Sequence, residues 1–268
     1  MMNLGFAGVS FQVSCDDDLS ARLRSIFPAT GNAPEPTESP PLPSTDATVE
    51  IHAERVGSSY RFLLDGQLEA EDLSPGETAA LVEYRIIRET ALRTETHLAL
   101  HGAAVARDGA MLLLGPGGSG KSGLCCELVQ RGWSYLSDEL ALVNLESGKV
   151  SPFQRAILLK PNRIFRPPPQ RPTIDDGRRY LHWDSLRPAS AGMETALSRV
   201  VLCSYSRENG GERVVKLAPS EAIHEVAALC FNYHRLGATR IWKALTALLS
   251  RISVVAMHDA DAGVGRCS

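Results

Sequence analysis

The residues best suited to chemistry lie in one run: Gly115, Pro116, Gly117, Gly118, Ser119, Gly120, Lys121 and Ser122 match G-x-x-x-x-G-K-[ST] at every fixed position. Glycines at this spacing let several backbone N–H groups turn inward around a phosphate chain, where side chains would obstruct them. A helix after such a loop adds its unpaired N–H groups and the positive end of its dipole. Lys121 has the length to reach β- and γ-phosphates, and the Ser122 hydroxyl can bind Mg²⁺. The flanks have the character that the pattern demands. Residues 110–114 are apolar and read as a buried strand, and 124–130 read as a helix closed by Gly132.

A phosphate loop by itself predicts only a bound nucleotide. Asp138 lies seventeen residues beyond Lys121, at the end of a predicted strand over 135–137. In a βαβ unit that position falls at the carboxyl edge of the sheet, beside the phosphates. A carboxylate there can bind Mg²⁺ through water or take a proton from an incoming hydroxyl. Glu139 can fill whichever role Asp138 leaves, so Ser122 and Glu139 form the candidate metal-binding pair. His101 sits on a predicted strand, 100–106, paired with the one entering the loop, within reach of the γ-phosphate region. Solvated turn acids and a packed core histidine are the plainer alternatives for these three.

The elements that must hold these groups follow from punctuation in the sequence. Residues 100–106 and 110–114 form a hairpin through Arg107-Asp108-Gly109. Strands 140–145 and 149–151 form a second hairpin, followed by a short strand at 156–159. Further strands are read at 197–204, 213–217 and 252–257, with helices at 219–229 and 239–251. These make residues 98–268 one α/β block. Residues 1–97 read as a small α+β module without evident chemistry: a strand over 5–13, a helix over 18–27, strands at 48–52 and 60–64, and a helix over 76–91 announced by Ser74-Pro75. Within it, 28–46 is rich in Pro, Ser and Thr, a linker or long loop.

From 160 to 191 the chain turns rich in proline and arginine, too long for a simple connection. Lys160, Arg178, Arg179 and Arg187 are candidates there for contacting phosphate or an acidic substrate, since a guanidinium binds phosphate bidentately. A solvated basic loop is the alternative. His182-Trp183-Asp184 is read as an anchor for that stretch.

Several of these segments together resemble the catalytic domain of HPr kinase/phosphorylase. His101-Gly102 stands for the family's I-H-G, loop 115–122 for its G-x-x-G-x-G-K-S, Glu127-Leu128-Val129-Gln130-Arg131-Gly132 for E-L-x-x-R-G, and Ser137-Asp138-Glu139 for A-D-D. The resemblance covers roughly 100–143. It implies an α/β phosphate-loop kinase domain akin to phosphoenolpyruvate carboxykinase, using ATP and Mg²⁺ to phosphorylate a serine-type hydroxyl. By position Asp138 would be the general base, Lys121 would steady the transferring phosphoryl group, Ser122 would hold Mg²⁺, and His101 would belong to the active site. The chain departs from the family at Glu139, an Asp there, and at 158–162, where the E-I-R-G-L-G-I-I segment has no counterpart. That departure leaves HPr as substrate, and phosphorylase activity with it, open. The expected acceptor is a hydroxyl of a peptide, protein or small molecule. A nucleotide-binding regulatory module without catalysis, and an ATP or GTP hydrolase, are the competing readings.

The whole chain narrows the field further. At 268 residues it can bury a substantial core. Its net charge of −3 gives no reason to expect nucleic acid or an anionic membrane as partner. No signal-like start and no apolar run of membrane-spanning length is present, so a soluble cytoplasmic protein is expected, with its six scattered cysteines reduced. Oligomerisation is left open.

Overall fold

The computed structural model describes residues 1–28, 47–159, 179–188, 191–204 and 213–258. The stretch read as a Pro-rich linker therefore lies almost wholly outside the described residues, and so do Lys160 and Arg178.

The chain opens with β1 (Met2–Phe6), β2 (Val9–Ser14), α1 (Asp17–Ile26), β3 (Ala47–Val56), β4 (Ser59–Leu64), β5 (Gln67–Leu73) and α2 (Pro75–Arg93). The first five strands form one sheet in sequence order, with β2 and β3 parallel and the other neighbours antiparallel. The single strand expected over 5–13 is instead a hairpin. Ala7 and Gly8 both adopt left-handed φ, 51° and 78°, which reverses the chain after Phe6. Strand β5 has an exposed, acidic sequence, Gln-Leu-Glu-Ala-Glu-Asp-Leu, that masks its place at the sheet edge. Ser74 caps α2 as its sequence foretells: its Oγ accepts from Glu77 N, and Glu77 reaches back to Ser74 N.

The rest comprises β6 (His97–Ala106), β7 (Ala110–Leu114), α3 (Lys121–Gln130), β8 (Ser134–Ser137), β9 (Leu140–Asn144), β10 (Lys149–Ser151), β11 (Ile157–Leu159), β12 (Arg179–Leu181), β13 (Thr195–Ser204), β14 (Arg213–Lys216), α4 (Pro219–Ala228), α5 (Tyr233–Leu236), α6 (Ala238–Leu249) and β15 (Ser253–His258). The result is a mixed α/β fold with several sheets. Strand pairing runs β10–β9–β6–β7–β13 and returns to β10. Strand β13 is parallel to both β7 and β15. The long strand β6 changes partner midway. His97 to His101 pair with β9, and Gly102 to Ala106 pair with β7 on one side. Its other side there takes β8, from Ala104 onward. Strands β7 and β8, both antiparallel to β6, therefore run parallel with β6 between them, and α3 is the crossover.

The hydrophobic core does not stop where the first sheet does. Phe11, Leu23, Ile51, Phe62, Val82 and Ile86 pack in one cluster with Leu140, Leu142, Phe153, Ala156 and Tyr180. Ala156 N also donates to Ile26 O at 2.6 Å. The N-terminal elements thus lie against β9 and the segment after β10, which carries α2 to the corner where His101 and Glu139 sit. Among the described residues, no helix is long and apolar enough to cross a membrane.

Candidate functional site

Loop 115–122 leaves β7 between two crowded backbones. A Cβ at Gly115 would lie 2.2 Å from the Cys203 carbonyl oxygen, so only glycine fits where the loop passes β13. Gly120, at φ 90°, is the N-cap of α3 and supplies no side-chain hydrogen bond. The positive end of the helix is thus presented to the loop. The helix starts at Lys121, three residues before the expected 124, so Lys121 and Ser122 form its first turn. Lys121 is buried and its Nζ donates to Gly115 O at 2.7 Å and Pro116 O at 2.8 Å. The Ser119 hydroxyl is buried without a hydrogen-bond partner among the described residues. A glycine-shaped cradle, an uncapped helix start, a lysine and an unsatisfied hydroxyl fit a phosphate chain.

Asp138 follows β8 and is 2 % exposed. The Ser122 hydroxyl donates to its Oδ1 at 3.0 Å and approaches Oδ2 at 3.3 Å. Two hard oxygens so close, one anionic, fit Mg²⁺, which takes one or two protein oxygens and fills its shell with water and phosphate. Among the described residues no cluster of three or more His, Cys, Asp or Glu side chains is placed to hold a metal, in keeping with so sparse a donor set. Burial raises the Asp138 carboxyl above its ordinary range. The charges of Arg155 and Lys121 and the Ser122 hydrogen bond pull it back, while Glu139 adds to the rise.

Glu139 turns away from Ser122. Its backbone holds φ 86°, a strained value for a residue with a Cβ and one of the few such positions among the described residues. Its carboxylate points to His101 Nδ1 at 3.5 Å and Arg155 Nη2 at 3.9 Å. The oxygen pair beside the loop is therefore Ser122 with Asp138, where the sequence pointed to Ser122 with Glu139. His101 sits at the changeover point of β6, opposite Leu140 and next to Gly102, which pairs with the end of β7. Gly102 is required there, because a Cβ would meet Leu113 O at 2.5 Å.

Five residues complete this corner without any signal in the sequence. Arg155, 1 % exposed, pairs with Glu83 of α2 at 2.6 Å, and Tyr180 Oη donates to the other Glu83 oxygen. Asn232 is fully buried, accepting from Ala99 N at 3.1 Å and donating to His97 O at 2.9 Å. That clip, with His101 N donating to Leu229 O, fixes Phe231 edge-on to the His101 ring at 5.5 Å. A buried arginine or asparagine facing a glutamate or strand edge dozens of residues away has no local spacing to announce it.

Of the basic candidates, Arg179 and Arg187 lie among the described residues. Arg179 is exposed and opens β12 opposite Leu159. Arg187 lies against Gly132, beyond the far end of α3, about 15 Å along the helix from Lys121. Trp183 does anchor its segment, stacked on Tyr135 at 4.9 Å with the His182 ring on it at 4.2 Å.

No family model and no curated protein matches this chain. Among solved structures it is similar to the HPr(Ser) kinase/phosphatase from Coxiella burnetii, at 12% identity over 63% of this chain and 82% of that one, with a TM-score of 0.31.

Proposed function

We propose that the chain is an ATP-dependent kinase that transfers the γ-phosphoryl group to a hydroxyl of a peptide, protein or small molecule. The Ser122–Asp138 contact at the head of α3 is the observation that carries this reading. It sets a buried carboxylate beside the loop that would hold the phosphates.

In this reading the uncapped turn of α3 and the loop N–H groups bind the β- and γ-phosphates. Lys121 exchanges its two carbonyl partners for phosphate oxygens and balances the charge gathering on the moving group. Mg²⁺, held by Ser122, would supply charge neutralisation for the phosphates when bound, leaving Asp138 free to act as base. The acceptor oxygen forms a bond to Pγ as the bond from Pγ to the ADP oxygen breaks, and the acceptor's proton passes to Asp138. A carboxyl raised by burial is a better proton acceptor than a solvated one. His101 orients Glu139, and the charge of Arg155 pulls the Asp138 carboxyl back toward its ordinary range.

A second assignment of the base is favoured by one observation. Glu139 is the acid that faces solvent, with its side chain 43% exposed, while Asp138 is turned to Ser122. The two are separated by measuring phosphoryl transfer from labelled ATP in Asp138→Asn and Glu139→Gln. Loss of about 10²–10³-fold on Asp138→Asn alone supports the assignment. Full turnover in Asp138→Asn with loss in Glu139→Gln moves the base to Glu139. Labelled ATP that is bound but transferred to nothing in a lysate would leave a nucleotide-binding module instead of a kinase.

A further inference from the structure

A groove of about 620 Å³ opens beside the Glu139 corner, within the size range of small-molecule sites. One wall is a stripe of α2 at helical spacing, Ala80, Tyr84, Ile87 and Ala91. Phe231 and Leu158 face it, and among the described residues the polar lining is Glu83, Arg88, Arg155, Glu139 and His101. Tyr84 and Phe231 are 54% and 44% exposed, so two aromatic side chains are offered to whatever enters.

The charges give the groove a sign. Arg88 on its rim is already matched, because Arg85, Arg88 and Arg93 share Glu69, Glu89 and Asp65 in one network. Deeper in, Arg155 is the one cation among the described residues of the lining that faces two carboxylates. It is committed to Glu83 at 2.6 Å and stands 3.9 Å from Glu139. Of these three charged groups one carboxylate is left over, and it is the accessible Glu139. A surplus carboxylate beside exposed aromatic rings is the chemistry that recognises an ammonium group.

We propose that this groove binds a small amphipathic amine, its apolar body along the α2 stripe and its ammonium beside Glu139. If the kinase reading holds, a hydroxyl on that amine is the acceptor, since Glu139 adjoins Asp138 in the chain. The commitment to a small molecule follows from the volume, and the commitment to an amine follows from the charge.

The test uses calorimetric titration of the full chain with 4-phenylbutylamine, 4-phenylbutanol and 4-phenylbutyrate, which share one body and differ in head-group charge, and separately with ATP·Mg²⁺. The amine is expected to bind at least tenfold tighter than the carboxylate. Tyr84→Ala should weaken the amine fivefold or more, and Glu139→Gln should erase its advantage over the alcohol. Equal affinity for the three heads, no saturable binding, or binding indifferent to both substitutions overturns the proposal. So does a serine-containing peptide that binds in a Tyr84-dependent way while the amine does not. The ATP titration keeps the two ideas apart. Amine binding without ATP binding leaves the groove and removes the kinase, and the converse leaves the kinase and removes the groove.

Discussion

Glu83 and Arg155 meet 2.6 Å apart with side chains 5% and 1% exposed, although 72 residues separate them in the chain. The pair ties α2 to the segment behind Asp138 and Glu139. Tyr135 Oη fixes the Arg155 backbone as well, donating to its carbonyl at 2.8 Å. Removing one partner strands the other charge in the core. Glu83→Ala or Arg155→Met should therefore cost about 3–5 kcal/mol in urea unfolding. Glu83→Leu with Arg155→Met should cost less than the two single losses summed. A loss under about 1 kcal/mol in both single variants would show that the pair is not desolvated.

Two glycines of the loop separate folding from binding. Gly115→Ala would press a methyl group 2.2 Å from the Cys203 carbonyl and should lower stability by about 1–3 kcal/mol. At Gly117 a Cβ meets nothing within 4 Å. Gly117→Ala should keep its unfolding free energy within about 1 kcal/mol of wild type while losing ATP affinity. Thermal melts and ATP titrations of both variants check this, and unchanged ATP affinity in Gly117→Ala argues against the cradle.

Lys121 supplies a reading through linkage. ATP·Mg²⁺ at 100-fold its dissociation constant should stabilise the wild type by about 2.7 kcal/mol. Lys121→Ala should fold yet show no such gain at the same concentration. A full gain in that variant would remove Lys121 from the nucleotide site.

The Asp16–Tyr60 hydrogen bond, 2.8 Å long, predicts both limbs of the stability profile. Burial pushes Asp16 up, but bonds from Leu19 N and Tyr60 and the charge of Arg55 outweigh it, so its carboxyl ends below the ordinary range. A depressed carboxyl stabilises above its unfolded value, near pH 4, and that contribution fades as acid protonates the folded form. Burial and Asp16 raise Tyr60 to about 12, so its contribution persists to about pH 10 and is lost as the pH climbs toward 12. Melts of Asp16→Asn should show a shallower acid fall than wild type, and those of Tyr60→Phe a shallower alkaline one. Parallel curves for wild type and variants would contradict the assignment.

Cys125, Cys126, Cys203 and Cys230 are buried thiols, and burial raises Cys125, Cys126 and Cys230, the last to about 11. Native protein at pH 8 should leave all four unlabelled by a thiol reagent, and denaturant should release them together. Mass spectrometry of the labelled chain gives the count.

The sequence by itself determined what local spacing can carry. Loop 115–122, the Asp-Gly turn at its entry, the Ser74 cap and the strand ending at Asp138 depend on neighbours a few residues away, and each element stands where those residues direct it. Hairpin β1–β2 escaped because alanine at a left-handed φ leaves no mark, and β5 because its edge position tolerates acids. Only the tertiary structure decided which acid faces Ser122 and which faces outward, since the turn at Glu139 is set by packing against β6. It also decided that Arg155 answers Glu83, that Asn232 clips β6, and that α2 closes a groove over Glu139. Those contacts span 72 to 135 residues and form only once the shared core brings α2, β6 and β9 together.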